Sequence, residues 1–123
     1  VDFVEKECEE RLEKIIEGFH SCRNALTAIG DETRQLILFA LLQSDLAGIR
    51  VGEIAQKTHM TRPSVSHHMQ ILKEAGIVNM RKEGTMNFYY ISADETRWKN
   101  LVDLINLVYD GILHITGPAA GDR

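Results

Sequence analysis

What is scarce in this chain excludes several classes of protein. Two cysteines among 123 residues, Cys8 and Cys22, are too few for a disulfide scaffold. No stretch approaches the roughly 20 apolar residues needed to span a bilayer, so no membrane partner is expected. No basic-then-apolar leader opens the chain. Its first ten residues, VDFVEKECEE, are acidic, and the expected location is cytoplasmic. Internal repeats, low-complexity tracts and Pro/Ser-rich linkers are also missing, which suits a single domain, 1–123, with one core. There is no Gly-rich phosphate loop, Ser–His–Asp arrangement or complete metal set, so neither an enzyme nor a resident cofactor is expected.

The net charge of −4 looks unsuited to a nucleic-acid partner until it is divided along the chain. Residues 1–32 carry nine acids and four bases, a net −5. Residues 33–93 carry four acids and seven bases, a net +3, and residues 94–123 carry five acids and three bases, a net −2. The middle is basic on an acidic frame. Local charge, rather than the total, sets attraction to phosphate.

Periodicity places the elements. Val4, Cys8, Leu12, Ile15, Phe19, Cys22 and Leu26 recur at steps of three and four, predicting a first helix over 3–28, with Gly18 as a point of bending or breaking. Asp31 is placed to cap a central helix at about 32–43. SDLAGIR is a loop, and Ile49–Val51 a short strand. Helices at about 52–58 and 62–75 form a helix–turn–helix, with Thr61 as cap, Pro63 in the first turn and Gly76 as terminator. Strands at about 77–82 and 87–92 flank a turn at Glu83-Gly84. Asp94 starts a last helix running to about Ile115, and the tail GPAAGDR frays. The fold class expected is mainly α with a small β-hairpin wing: a winged helix-turn-helix, with the helix–turn–helix within 51–76 and the wing within 77–92.

The last helix, 94–115, is apolar around most of its circumference. Trp98, Leu101, Val102, Leu104, Ile105, Leu107, Val108, Tyr109, Ile112, Leu113 and Ile115 leave only Lys99, Asp103, Asn106 and Asp110 as a polar stripe. One small domain does not need so wide an apolar surface. The extra face, with that of the first helix (1–28), is expected to bury against a second copy. A symmetric homodimer presents two reading heads to a palindromic site. The alternative is an oily surface on a monomer.

The second helix of the pair opens with Thr61, Arg62, Ser64, Ser66, His67 and Gln70. Short polar side chains on an exposed helix suit base edges and phosphates in a major groove of double-stranded DNA. Arg81 and Lys82 in the wing are candidate phosphate binders. His67 points away from the Val65, Met69 and Leu72 side and is the better DNA contact. His68 leans toward that side and is expected to be packed or hydrogen-bonded.

These residues resemble the arsenic-repressor, or ArsR-type, family of winged-helix transcriptional repressors. LTAIGDETRQLILFALL (26–42) looks like the family's opening helix pair, VGEIAQKTHMTRPSVSHHMQILKEAGIV (51–78) like its helix–turn–helix, and RKEGTMNFYYI (81–91) like its wing. The resemblance implies a homodimer that represses a nearby promoter and releases it on sensing a signal. Two departures stand out. His59 occupies a turn position where the family usually has Gly, and Thr85 occupies the wing tip where many relatives carry Arg.

The resemblance also brings two metal sites to test. A Cys-x-Cys pair would fall on Arg50 and Gly52, which cannot bind a soft metal. A site across the paired last helices would fall on Asp94 and Thr96, then Leu107 and Asp110, where both imidazoles are lost. No usual family metal site is intact. Cys8 and Cys22 remain as candidates for redox or soft-metal sensing across a dimer axis, or as small buried hydrophobes. Along one helix they lie roughly 21 Å apart, too far for an intrachain disulfide. His20 is a poor chelating partner for Cys22, and His114 is a surface residue near a helix end. The competing functional reading is a winged helix used only for protein–protein assembly.

Overall fold

The computed structural model describes residues 3–92 and 95–116. The expected cap Asp94 and the GPAAGDR tail lie outside them. In chain order the elements are α1 (Phe3–Ser21), α2 (Arg23–Ile29), α3 (Glu32–Leu42), α4 (Val51–Thr58), α5 (Arg62–Glu74), β1 (Val78–Glu83), β2 (Met86–Ile91) and α6 (Glu95–Thr116). The contacts divide the chain into two compact units. One comprises residues 1–23 and 99–123, the other Asn24–Trp98.

In the first unit, α1 runs unbroken through Gly18 and stops at Ser21. The interruption in the long first helix therefore falls at Cys22, not at the glycine. Gly18 instead permits a close approach, since a Cβ there would sit 2.8 Å from Leu104 Cδ1 of α6. Gly111 of α6 repeats the device, with a would-be Cβ 3.0 Å from Ile15 Cδ1. Leu101 and Leu104 are buried, while Leu12, Ile16 and Phe19 of α1 and Val102, Ile105, Tyr109 and Ile112 of α6 stay exposed. The apolar stripe read from the sequence is thus only partly covered within one chain. No helix among the described residues is long and apolar enough to cross a membrane.

The second unit is a winged helix–turn–helix. Its core is Ile37 of α3, Ile54 of α4, Val65, Met69 and Leu72 of α5, then Ile77 and Val78, all with side chains essentially out of solvent. Burying each such side chain contributes about 1.5–3 kcal/mol. Helix α3 packs on α4, α5 and β2, and α5 packs on β1. Asp31 caps α3, its carboxylate accepting from Arg34 N–H at 2.9 Å. That hydrogen bond, with the Arg34 guanidinium nearby, holds the Asp31 carboxyl below its ordinary value. Thr61 caps α5, accepting from Ser64 N–H at 3.2 Å, and Pro63 sits in the first turn.

Helix α5 ends in a Schellman motif. Ile77 N–H donates to Leu72 C=O at 2.9 Å and Gly76 N–H to Lys73 C=O at 3.0 Å. Gly76 takes φ +77°, which the motif needs, and the buried side chains of Leu72 and Ile77 supply its apolar contact. This stop delivers the chain from α5 straight into β1.

The wing is a two-stranded antiparallel hairpin in register Val78↔Ile91 through Glu83↔Met86. The turn is Gly84-Thr85, one residue later than the Glu83-Gly84 reading. Gly84 takes φ +64°, and a two-residue loop with glycine in its first place fits the twist of the strands. The expected strand at Ile49–Val51 reduces to one bridge, Ile49 with Tyr89, because Val51 already begins α4. Ile49 N–H donates to Tyr89 C=O at 2.9 Å and Tyr89 N–H returns to Ile49 C=O at 2.8 Å, tying the base of the wing to the entry of α4.

His59, in the turn between α4 and α5, adopts the left-handed region at φ 58°, ψ 38°. It is the only non-glycine residue with positive φ among the described residues. The turn keeps the geometry a glycine would give, at a backbone cost of about 1–2 kcal/mol. His59→Gly should therefore raise stability by about 0.5–1 kcal/mol after the added unfolded-state entropy is subtracted. A β-branched His59→Val should lower it. Urea unfolding midpoints of the three proteins check both signs.

Candidate nucleic-acid interface

Helix α5 is held on its inner side by a buried cation. Arg34 of α3 is buried, and its Nε donates to Ala28 C=O at 2.9 Å and its Nη2 to Thr27 C=O at 3.2 Å. These are carbonyls at the C-terminal end of α2, which an intrahelical partner cannot satisfy. The remaining nitrogen, Nη1, lies 3.2 Å from His68 Nδ1 on α5. Arginine can only donate, so His68 accepts there as a neutral imidazole. Burial, then the Arg34 charge, pushes the His68 pKa below its ordinary value near 6.5, although the Asp31 carboxylate opposes this. His68 is thus hydrogen-bonded on the inner side of α5, as the sequence suggested.

This arrangement carries a pH dependence. With its folded pKa depressed, His68 binds fewer protons in the native state than in the unfolded one. Stability is therefore complete above about pH 6.5 and falls as acid is added, until the lower folded pKa is passed. A glutamine can accept from Arg34 without titrating. The unfolding midpoint of wild type should drop between pH 7.5 and pH 5.5, and His68→Gln should flatten that drop.

On the opposite side of α5, Arg62, Ser66, His67 and Gln70 are exposed, and Ser64 is half-buried. The amide Nε2 of Gln70 donates to Glu74 Oε2 at 2.8 Å. The rings of His67 and His68 stand 5.5 Å apart and tilted by 60°, so the pair diverges. Thr61 is exposed, and its hydroxyl oxygen is the helix cap.

The two basic wing residues differ. Lys82 is exposed. Arg81 is partly exposed and has partners within the protein: its guanidinium stands 4.8 Å from the centre of the Phe88 ring, donates to Glu83 Oε2 at 2.7 Å and donates to Ala47 C=O. It ties the wing to the loop before α4.

An open polar groove of about 700 Å3 lies where α4, α5 and the wing tip meet. Arg50, Gly52, Arg62, Ser66, Thr85 and Asn87 are among its lining residues. Two of the residues singled out from the sequence, Arg62 and Ser66, come together here. Arg50, Thr85 and Asn87 were not assigned to DNA from the sequence. A basic residue just ahead of the helix–turn–helix was the available signal, and it is a weak one.

Cys22 is buried and Cys8 half-buried. No group of three or more His, Cys, Asp or Glu side chains among the described residues could hold a metal ion.

Comparison with known proteins fits this geometry. Residues 31–80 match the model described as bacterial regulatory protein, arsR family. An uncharacterized HTH-type transcriptional regulator of Methanocaldococcus jannaschii, MJ1325, is 40% identical over 91 residues, covering 74% of this chain and 98% of that protein. The transcriptional repressor SdpR of Bacillus subtilis is 32% identical over 87 residues, covering 68% and 91% respectively. Among solved structures, the homodimeric winged helix-turn-helix DNA-binding domain of Mb0332 from Mycobacterium bovis superposes with a TM-score of 0.56. It is 25% identical, with 86% of this chain and 89% of that one covered.

Proposed function

The chain belongs to the arsR family of bacterial regulatory proteins, and we propose that it is a homodimeric repressor that reads an operator through α5. The observation that carries this is the face of α5. Arg62, Ser66, His67 and Gln70 are exposed on a helix whose other side is locked into the core by Val65, Met69 and Leu72. A helix so anchored presents its polar side chains at fixed positions, which base reading requires.

In this reading Arg62 and Lys82 neutralise phosphates, and Ser64, Ser66, His67 and Gln70 face base edges. Thr61 shapes the start of α5, and Arg81 serves by holding the wing in place. The exposed apolar residues of α1 and α6 pair with those of a second copy, as the homodimeric state of the Mycobacterium bovis relative supports. SdpR, described as a transcriptional repressor, supports the sign of regulation. A response to oxidants or soft metals would enter through Cys8, the less buried thiol, or Cys22.

Titration of the purified protein against its own upstream promoter DNA, with and without a thiol oxidant and Zn(II), tests these elements together. Retarded DNA that either treatment releases supports a repressor switched through the thiols. Binding indifferent to both leaves the repressor and assigns the signal elsewhere. Absence of binding at low salt points to the protein-assembly reading. Arg62→Ala should weaken binding to promoter and random duplexes alike, whereas Ser64→Ala and His67→Ala should chiefly narrow the gap between them by about 1–3 kcal/mol. Equal losses on both duplexes for all three variants would overturn the assignment of base contacts to α5.

A further inference from the structure

Residues 24–98 contain five arginines, and three are already engaged. Arg34 is bonded to α2 and His68, Arg81 to Ala47, Glu83 and Phe88, and Arg97, which covers Gly76, has an interaction of its own. The other two, Arg50 and Arg62, have no ion-pair partner among the described residues, and both line the same groove. Arg50 is the N-cap of α4 but makes no side-chain capping bond. Among the described residues its guanidinium is thus held by neither a capping bond nor an ion pair.

Gly52 explains how the two arginines can share the groove. A Cβ at that position would stand 2.8 Å from Arg62 Nη2, 3.1 Å from its Cζ and 3.3 Å from its Nε. The guanidinium of Arg62 lies against the first turn of α4, in space that only a glycine leaves open. Two arginines and a single carboxylate, Glu53, then line one groove together with Thr85 and Asn87 of the wing. Planar guanidinium groups matched to tetrahedral oxyanions are the recognition chemistry of a phosphodiester.

We infer that this groove seats a phosphodiester of the DNA backbone, with Arg50 as a second anchor beside Arg62 and with Thr85 and Asn87 donating to the same strand. The inference rests on the DNA-binding reading above and extends the contact surface from α5 to the entry of α4 and the wing tip. A phosphate held between these three elements fixes how deeply α5 enters the groove of the duplex. Arg50 thereby contributes affinity without carrying sequence information.

The test is the salt dependence of binding to the upstream promoter duplex and to a random duplex of equal length. Each neutralised phosphate contributes about 0.9 to the slope of log K against log salt. Arg50→Ala should make that slope shallower by about this amount and weaken both duplexes several-fold and equally. Arg50→Lys, which keeps the charge, should restore the slope. Gly52→Ala removes no charge but displaces Arg62, and should weaken both duplexes. Lys14→Ala, on exposed α1, should change nothing. Thermal unfolding of each variant reports folding separately, and Arg50 has no side-chain capping bond to lose. Wild-type binding with an unaltered slope in Arg50→Ala, or a loss confined to one sequence, overturns the groove while leaving the DNA reading intact. Failure of the wild type to bind any duplex at low salt overturns both.

Discussion

The winged-helix unit depends on one buried guanidinium. Arg34 supplies donors to two carbonyls at the end of α2 and a third to His68 on α5. Removing a charge from water is costly unless its hydrogen-bonding capacity is met, and here the helix end and the imidazole meet it. The same contacts connect three helices that a short apolar core would leave free to slide. The recognition helix is therefore fixed by a polar tie on one flank and by Val65, Met69 and Leu72 beneath.

The fold divides its arginines between structure and function by the partners it provides. Arg34 and Arg81 each have a backbone carbonyl and a carboxylate, Asp31 and Glu83 respectively, and Arg81 also has a ring. Arg50 and Arg62 are left facing open space. A chain with a net charge of −4 can thus offer a local positive site, because Arg50 and Arg62, which have no ion-pair partner among the described residues, line one groove. The acidic excess sits largely in the segments outside residues 33–93.

Much of this architecture was legible in the residues, and the parts that were not share a cause. Caps and stops depend on local chemistry. Asp31, Thr61 and Gly76 each do what their side chains, or the lack of one, dictate within four residues. The polar face of α5 follows from the 3.6-residue period alone. Misplaced features depended on contacts far along the chain. The helix runs on through Gly18, which lies against Leu104 of α6, and breaks at Cys22 instead. The hairpin turn moved to Gly84-Thr85 because the register with β2, not the turn sequence in isolation, decides which pair closes it. That Arg81 would also reach Ala47 was hidden for the same reason, since nothing nearby in sequence reveals that Ala47 will lie beside it.

Gly52 also bears on how the family's chemistry can diverge. Positions 50 and 52 are those where the resemblance to ArsR-type relatives would place a Cys-x-Cys metal pair. In this chain one carries a cation and the other carries no side chain, and the guanidinium of Arg62 occupies the space a thiolate would need. Under the proposed reading, the turn of helix that would carry a thiolate pair in a metal sensor carries groups for a phosphate oxyanion instead. A position emptied of metal ligands is then a position given over to another ligand, of opposite charge to the first.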